Sequence, residues 1–140
     1  MPYEVNWIIK DEIIYIKFWG NGSSEELREA LTTVTKMRKD SPRNLVHIIT
    51  DIKKVARAVP FQDSVKIMRE FQSPSDDGWE IVVGNLNKIM ELSLKISRSL
   101  LSTKSINFKS IDDAFSHLKK EDSSLSWDKL NQELVDSIRG

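Results

Sequence analysis

Residues 44–64 read NLVHIITDIKKVARAVPFQDS, and their order decides the fold. Residues 45–50 are a nearly continuous, largely β-branched apolar run, the composition expected of a strand covered on both faces in a parallel sheet. Asp51 follows, and then IKKVARAVP reads as a basic connection without glycine, leading to a helix that opens near Pro60, where proline suits the first turn. In open α/β sheets the loops leaving the carboxyl ends of the central strands are where ligands sit. The segment 52–61 is therefore the first place to look for a site.

On the N-terminal side, Tyr3, Val5, Trp7 and Ile9 alternate with Glu4 and Asn6, the period of a half-buried strand. A polar break at Lys10, Asp11 and Glu12 separates it from residues 13–19, where Ile14, Ile16 and Phe18 face one way and Ile13, Tyr15, Lys17 and Trp19 the other. This predicts a β-hairpin whose second strand lies further inside the sheet, with Trp7 and Trp19 in a cross-strand aromatic contact. Gly20, Asn21 and Gly22 end the hairpin. Ser23 and Glu26 form a capping box, and Leu27, Ala30, Leu31, Val34 and Met37 recur at helical steps until Ser41 and Pro42.

On the C-terminal side, Phe61, Val65, Met68 and Phe71 give the second helix an apolar side, and residues 73–78 form a turn cluster. Residues 79–83 read as a short strand. Leu86, Ile89, Met90, Ile96 and Leu100 predict a third helix with small Ser93 and Ser97 on the same face. Ile106, Asn107 and Phe108 make a minimal strand, and Ser110 opens a fourth helix with Ile111, Ala114, Phe115 and Leu118 inward. After the polar residues 119–124, Trp127, Leu130, Leu134 and Ile138 recur at helical spacing and predict a fifth, terminal helix. That stripe needs a cover: its own domain, a second copy or another protein.

With 21 Lys+Arg against 21 Asp+Glu in 140 residues, no whole-molecule field attracts nucleic acid or an anionic membrane. The absence of cysteine excludes disulfides, thiolate metal sites and a cysteine nucleophile, and suits a reducing cytoplasm. No apolar run approaches the roughly 20 residues that span a bilayer, so a soluble, cytoplasmic chain without a membrane span is expected. No phosphate-binding, dinucleotide, nucleophile-elbow or zinc-protease motif is present, so neither an enzyme nor a cofactor is expected. His47 and His117 are isolated in sequence. His47, centred in the strand at 45–50, reads as a hydrogen-bonded structural histidine.

The element order, an opening hairpin followed by alternating helices and strands, resembles the STAS domain group, best known for the SpoIIAA-like anti-sigma-factor antagonists. The hairpin, LVHIITD, GWEIVVG before a long helix, and INFKSIDDAFSHL carry this resemblance, which covers about residues 3–120. It implies an α/β SpoIIAA-like (STAS) fold: a five-stranded, mostly parallel sheet with an N-terminal β-hairpin and four helices. To this the chain adds an extra C-terminal helix, giving a domain at 1–120 and an amphipathic helix at 121–140. The resemblance implies a non-enzymatic protein-interaction or regulatory module. In the antagonists a serine in an Asp-Ser-Ser-Gly-like motif is phosphorylated at the start of the helix after the strand that LVHIITD resembles. Asp63-Ser64 is the nearest match here, so the resemblance points to Ser64 as a phosphorylation candidate. The connection before it is longer, and no second serine or glycine follows.

Two further constellations have a functional and a bland reading. Lys53, Lys54, Arg57 and Phe61, with Asn85 and Lys88 from the next connection, would open at one end of the sheet as a site for a small anion or a lipid headgroup, or form a solvated loop. Val55, Ala58, Val59, Pro60 and Phe61 are apolar for a loop. They read as the lid of a small-molecule or lipid carrier, as a partner surface, or as loop packed on the core. The tail residues Trp127, Leu130, Leu134 and Ile138 are candidates for a protein partner or a homodimer.

Overall fold

The structure is a computed structural model and describes residues 2–43, 45–71, 78–85 and 104–139. Its elements are β1 (Tyr3–Ile9), β2 (Ile13–Asn21), α1 (Ser24–Asp40), β3 (His47–Arg57), α2 (Phe61–Glu70), β4 (Glu80–Val83), β5 (Ser105–Phe108), α3 (Ile111–Glu121), a 3-10 turn (Trp127–Lys129) and α4 (Gln132–Arg139). The strands form one sheet in the order β1-β2-β3-β4-β5. The hairpin pair is antiparallel and every other pair is parallel. The turn cluster at 73–78, apart from Gly78, and the helix expected from Leu86 to Leu100 lie outside the described residues.

The alternation read in β2 sorts two cores onto opposite faces of the sheet. Ile14, Ile16 and Phe18 pack with Val46 and Ile48 against Ala30 and Val34 of α1. Ile13 and Tyr15 pack with Ile8, Ile9, Ile49, Ile81 and Val83 against Ile111, Ala114, Phe115 and Leu118 of α3 and against Val135 of α4. Burying one such isoleucine is worth roughly 2 kcal/mol, and many lie at or near zero exposure. Ser23 and Ser110 cap α1 and α3, each accepting the N–H of the residue three positions on, Glu26 and Asp113. Arg28 of α1 reaches Glu70 of α2 with two parallel hydrogen bonds and ties the two helices together.

Three expectations are corrected. The segment IKKVAR is strand, because β3 continues to Arg57 and pairs with the end of β2: Trp19 lies opposite Lys54, Gly20 opposite Val55 and Asn21 opposite Arg57. The register between Lys17–Asp51 and Trp19–Lys54 takes in one extra residue of β3, and a second slips in before Arg57. These bulges let a polar sequence keep its pairing while turning Val55 into the core. Only Ala58, Val59 and Pro60 are left to connect β3 with α2. Here Gly22 is indispensable, since a Cβ on it would fall 2.3 Å from the Val59 nitrogen.

The tail is not a single helix. Trp127 sits in the 3-10 turn, Leu130 is extended, and α4 starts only after Asn131, whose N–H donates to the Ile8 carbonyl and whose side chain accepts from Leu134 N–H. Trp127, Leu130, Leu134 and Ile138 all pack against the α3-side core and stay half-buried, so the chain itself covers part of the stripe. Finally, Trp7 and Trp19 do not meet: Trp7 lies opposite Ile14 on the α1 side, and Trp19 takes the Lys17 ammonium over its ring at 5.8 Å. The cross-strand aromatic pair of the hairpin is Tyr3 with Phe18.

Candidate functional site at the carboxyl end of the sheet

The parallel strands β2 to β5 deliver their carboxyl ends, and the capped starts of α1 and α3, to one end of the molecule. Asp51 is the last residue of β3 to pair with β4, opposite Val83. It is 4% exposed, and its oxygens are spoken for: the Tyr15 hydroxyl donates to Oδ2 at 2.6 Å and the Lys53 N–H donates to Oδ1 at 3.0 Å. The Lys53 ammonium adds a contact at 3.7 Å. Burial, with the neighbouring Asp51 carboxylate, drives the Tyr15 phenol far above its ordinary value, so it stays a donor throughout the physiological range. This cluster sits at the first bulge of β3.

Beyond Asp51 the strand is paired, among the described residues, with β2 alone. The six residues from Ile52 to Arg57 have no partner in β4, which ends at Val83. On this ribbon Lys53, Lys54, Ala56 and Arg57 are exposed and Val55 is turned inward. The alternation of β2 puts Lys17 and Trp19 on the α3 face, and Lys54, opposite Trp19, joins them. The Lys53 ammonium also donates to the Ile138 carbonyl at the end of α4, at 3.5 Å. Lys54 and Arg57 have no carboxylate partner among the described residues.

The remaining sequence candidates divide. Asn85 is exposed just after β4, and Lys88 lies outside the described residues. Phe61 opens α2, which has Pro60 as its cap and no side-chain capping bond. Ser64 is the fourth residue of α2: its N–H already donates to the Pro60 carbonyl at 2.9 Å and its hydroxyl donates to the Val59 carbonyl at 3.3 Å. It lies past the free N–H groups that stabilise an anion at a helix start. Among the described residues no group of His, Cys, Asp and Glu has the arrangement to hold a metal ion, and no helix is long and apolar enough to cross a membrane.

The opposite end of the sheet holds a second polar cluster. His47, 1% exposed, begins β3. Its Nδ1 accepts the Trp79 N–H at 2.9 Å, so the ring proton is on Nε2, which donates to Asp122 Oδ2 at 2.8 Å. Gly78 makes this possible, because a Cβ there would fall 2.6 Å from Nδ1. Asp122 caps the end of α3 and also accepts from Arg43 at 3.2 Å and from the N–H and hydroxyl of Ser124. Arg43 leans on Glu12 at 3.5 Å, and Glu12 accepts the Ser126 N–H at 2.6 Å. Burial lowers the proton affinity of His47 against the pull of Asp122. Burial opposes ionisation of Asp122, but the Ser124 and His47 hydrogen bonds outweigh it and bring its carboxyl down to about 2. The reading of His47 as a hydrogen-bonded structural histidine fits these bonds, but nothing in the sequence pointed to its partner Asp122, 75 residues away.

Three solved structures share the architecture. The anti-sigma factor antagonist SpoIIAA in its unphosphorylated form superposes with a TM-score of 0.58 at 11% identity, over 85% of this chain and 97% of that one. An uncharacterised protein of the DUF3478 family with a SpoIIAA-like fold, from Shewanella loihica, gives 0.58 at 13% identity, over 84% of this chain and 92% of that one. The Bacillus cell fate determinant SpoIIAA in its phosphorylated form gives 0.51 at 14% identity, over 84% of this chain and 99% of that one. No family model matches the sequence, and no curated protein does. The fold is therefore SpoIIAA-like, an α/β sheet of five mostly parallel strands.

Proposed function

We propose that this chain, starting from its SpoIIAA-like fold, is a non-enzymatic regulatory module that works by binding another protein at the carboxyl end of β3. The observation that carries this reading is the exposed basic strand at that end. Small-molecule sites are concave and largely apolar, whereas β3 runs on past Asp51 paired with β2 and carries exposed Lys53, Lys54 and Arg57. An exposed basic strand suits a macromolecular partner. The neighbours of the same fold include an anti-sigma factor antagonist known in unphosphorylated and phosphorylated forms, which favours protein binding over catalysis. Should the module be switched by phosphate at Ser64, the new group would displace the hydroxyl bond to Val59 and answer to Lys53, Lys54 and Arg57.

The carrier reading, with a pocket under the 52–61 loop, loses its lid: residues 52–57 are strand, and Val55 and Val59 are packed inward. Native mass spectrometry after gentle purification from the source organism tests the proposal. A stoichiometric protein partner is expected. A co-purifying lipid or metabolite, with the chain otherwise alone, would overturn it.

A further inference from the structure

Resting on that reading, we infer that the β2–β3 ribbon takes an acidic, extended segment of the partner, which adds as a strand along residues 54–57. Two independent observations converge. The first is charge. The ribbon residues Trp19, Gly20, Asn21 and 52–57 contain Lys53, Lys54 and Arg57 and no acid, in a protein whose 21 basic and 21 acidic residues cancel. Lys17 adds a fourth cation beside Trp19. Lys53 is engaged by Asp51 and Ile138, but Lys54 and Arg57 have no carboxylate among the described residues. The second is backbone. Among the described residues the β4 side of 54–57 has no ladder partner, because the β3–β4 register stops at Asp51 with Val83. Unpaired N–H and C=O groups at a sheet edge are a template for another strand.

The chemistry separates the possible polyanions. A nucleic acid draws its affinity from many phosphate contacts, and four cations on a molecule of zero net charge provide few. Phosphate or a lipid headgroup uses the cations and leaves the edge empty. An acidic strand uses both, with its carboxylates toward Lys54 and Arg57 and its peptide groups toward the edge. Lysine on an exposed edge is otherwise explained as a guard against self-pairing, and the test separates the two roles.

The full chain, isotope-labelled, is titrated with a blocked peptide of alternating glutamate and valine, and separately with its glutamine–valine counterpart, inorganic phosphate, and vesicles of phosphatidylcholine with phosphatidylserine. The expected result is a shift of the Trp19 indole and of the amides at 54–57, with slower amide exchange within 54–57, for the acidic peptide alone. Lys54→Glu with Arg57→Glu should weaken it at least about tenfold with an unchanged melting curve, and Lys54→Gln with Arg57→Gln provides a second reading if the reversal impairs folding. Shifts spread over lysines elsewhere, equal binding of the uncharged peptide, or binding of phosphate or vesicles only would overturn the inference. So would a wild-type chain that ignores the peptide while the glutamine variant self-associates. Failure here with a stoichiometric protein partner in native mass spectrometry leaves the interaction reading standing and moves its surface elsewhere.

Discussion

Replacing Asp122 by alanine tests whether the amino-end cluster holds the tail to the sheet. The carboxylate, 9% exposed, accepts from His47, Arg43 and both donors of Ser124. Its removal leaves the His47 Nε2–H buried without an acceptor, since Nδ1 is already fixed as an acceptor by Trp79, and leaves Arg43 with the longer carboxylate contact to Glu12 beside its bonds to the Leu45 carbonyl and the Ser124 hydroxyl. A stranded buried donor costs about 1–3 kcal/mol, and breaking a largely buried charged pair costs 3–5. A loss of about 3 kcal/mol is expected, which for a domain of this size lowers Tm by roughly 10 °C. The assay is urea denaturation across pH, where the sign is fixed by the shifts. The Asp122 carboxyl titrates near 2 in the folded chain against 3.8 unfolded, so its stabilisation, roughly 2 kcal/mol, is present above pH 3.8 and drains away as pH falls toward 2. The native ring of His47 resists the proton that the unfolded chain accepts from about pH 6.5 downward, so stability also falls on acidification below that value. The alanine variant should lack the lower step. A loss below about 1 kcal/mol, or an unchanged profile between pH 4 and 2, would refute the assigned role.

Tyr15→Phe removes the hydroxyl that donates to buried Asp51 and should cost about 1–2 kcal/mol in chemical denaturation; an unchanged midpoint would mean that the Lys53 contacts suffice. In the wild type, absorbance titration should show no phenolate from Tyr15 before alkaline unfolding, because burial and Asp51 hold the phenol protonated. Gly22→Ala sets a methyl against the Ala58–Val59 backbone and should destabilise by at least about 2 kcal/mol, with wild-type stability as the refuting result. Deleting the residues after Asn131 strips Val135, Leu134 and Ile138 from the α3-side core; a lower Tm and increased binding of an apolar dye are expected, and an unchanged melting curve would contradict the packing.

The parts of the fold legible in the sequence are those where side-chain pattern and backbone demand coincide. β2 announces both faces because Ile14, Ile16 and Phe18 alternate with Ile13 and Tyr15, and the two sets enter two different cores. The capping serines Ser23 and Ser110 mark helix starts because their oxygens satisfy N–H groups three residues on. The second half of β3 was illegible for the opposite reason. Its pairing is supplied by the backbone of β2 through two bulges, while its side chains other than Ile52 and Val55 face water, so IKKVAR carries the composition of a loop and the hydrogen bonds of a strand. Of the amino-end cluster only His47 was legible, as a hydrogen-bonded histidine; its partners were not, because the cluster is assembled from four separate segments around Glu12, Arg43, His47 and Asp122, and no local period encodes such a meeting.

The tail connects the two ends of the sheet, and its anchoring is uneven. At the amino end Asp122, Ser124 and Ser126 are tied to His47, Arg43 and Glu12 among buried groups, where each broken contact leaves a charge or donor stranded. At the carboxyl end α4 is held by exposed contacts, the Ile138 carbonyl to Lys53 and Arg139 to Asp112, of the kind that adds little to stability. The apolar stripe between them, with Val135 at zero exposure, fixes the body of the helix. The last turn of α4 is therefore the least costly part of the tail to release, and it is the part that touches Lys53. Among the described residues, a segment docking on the ribbon meets Lys54 and Arg57 without displacing an ion pair and needs to compete for Lys53 alone. That ordering makes Lys54 and Arg57, and not Lys53, the residues whose reversal should report on binding without disturbing the fold.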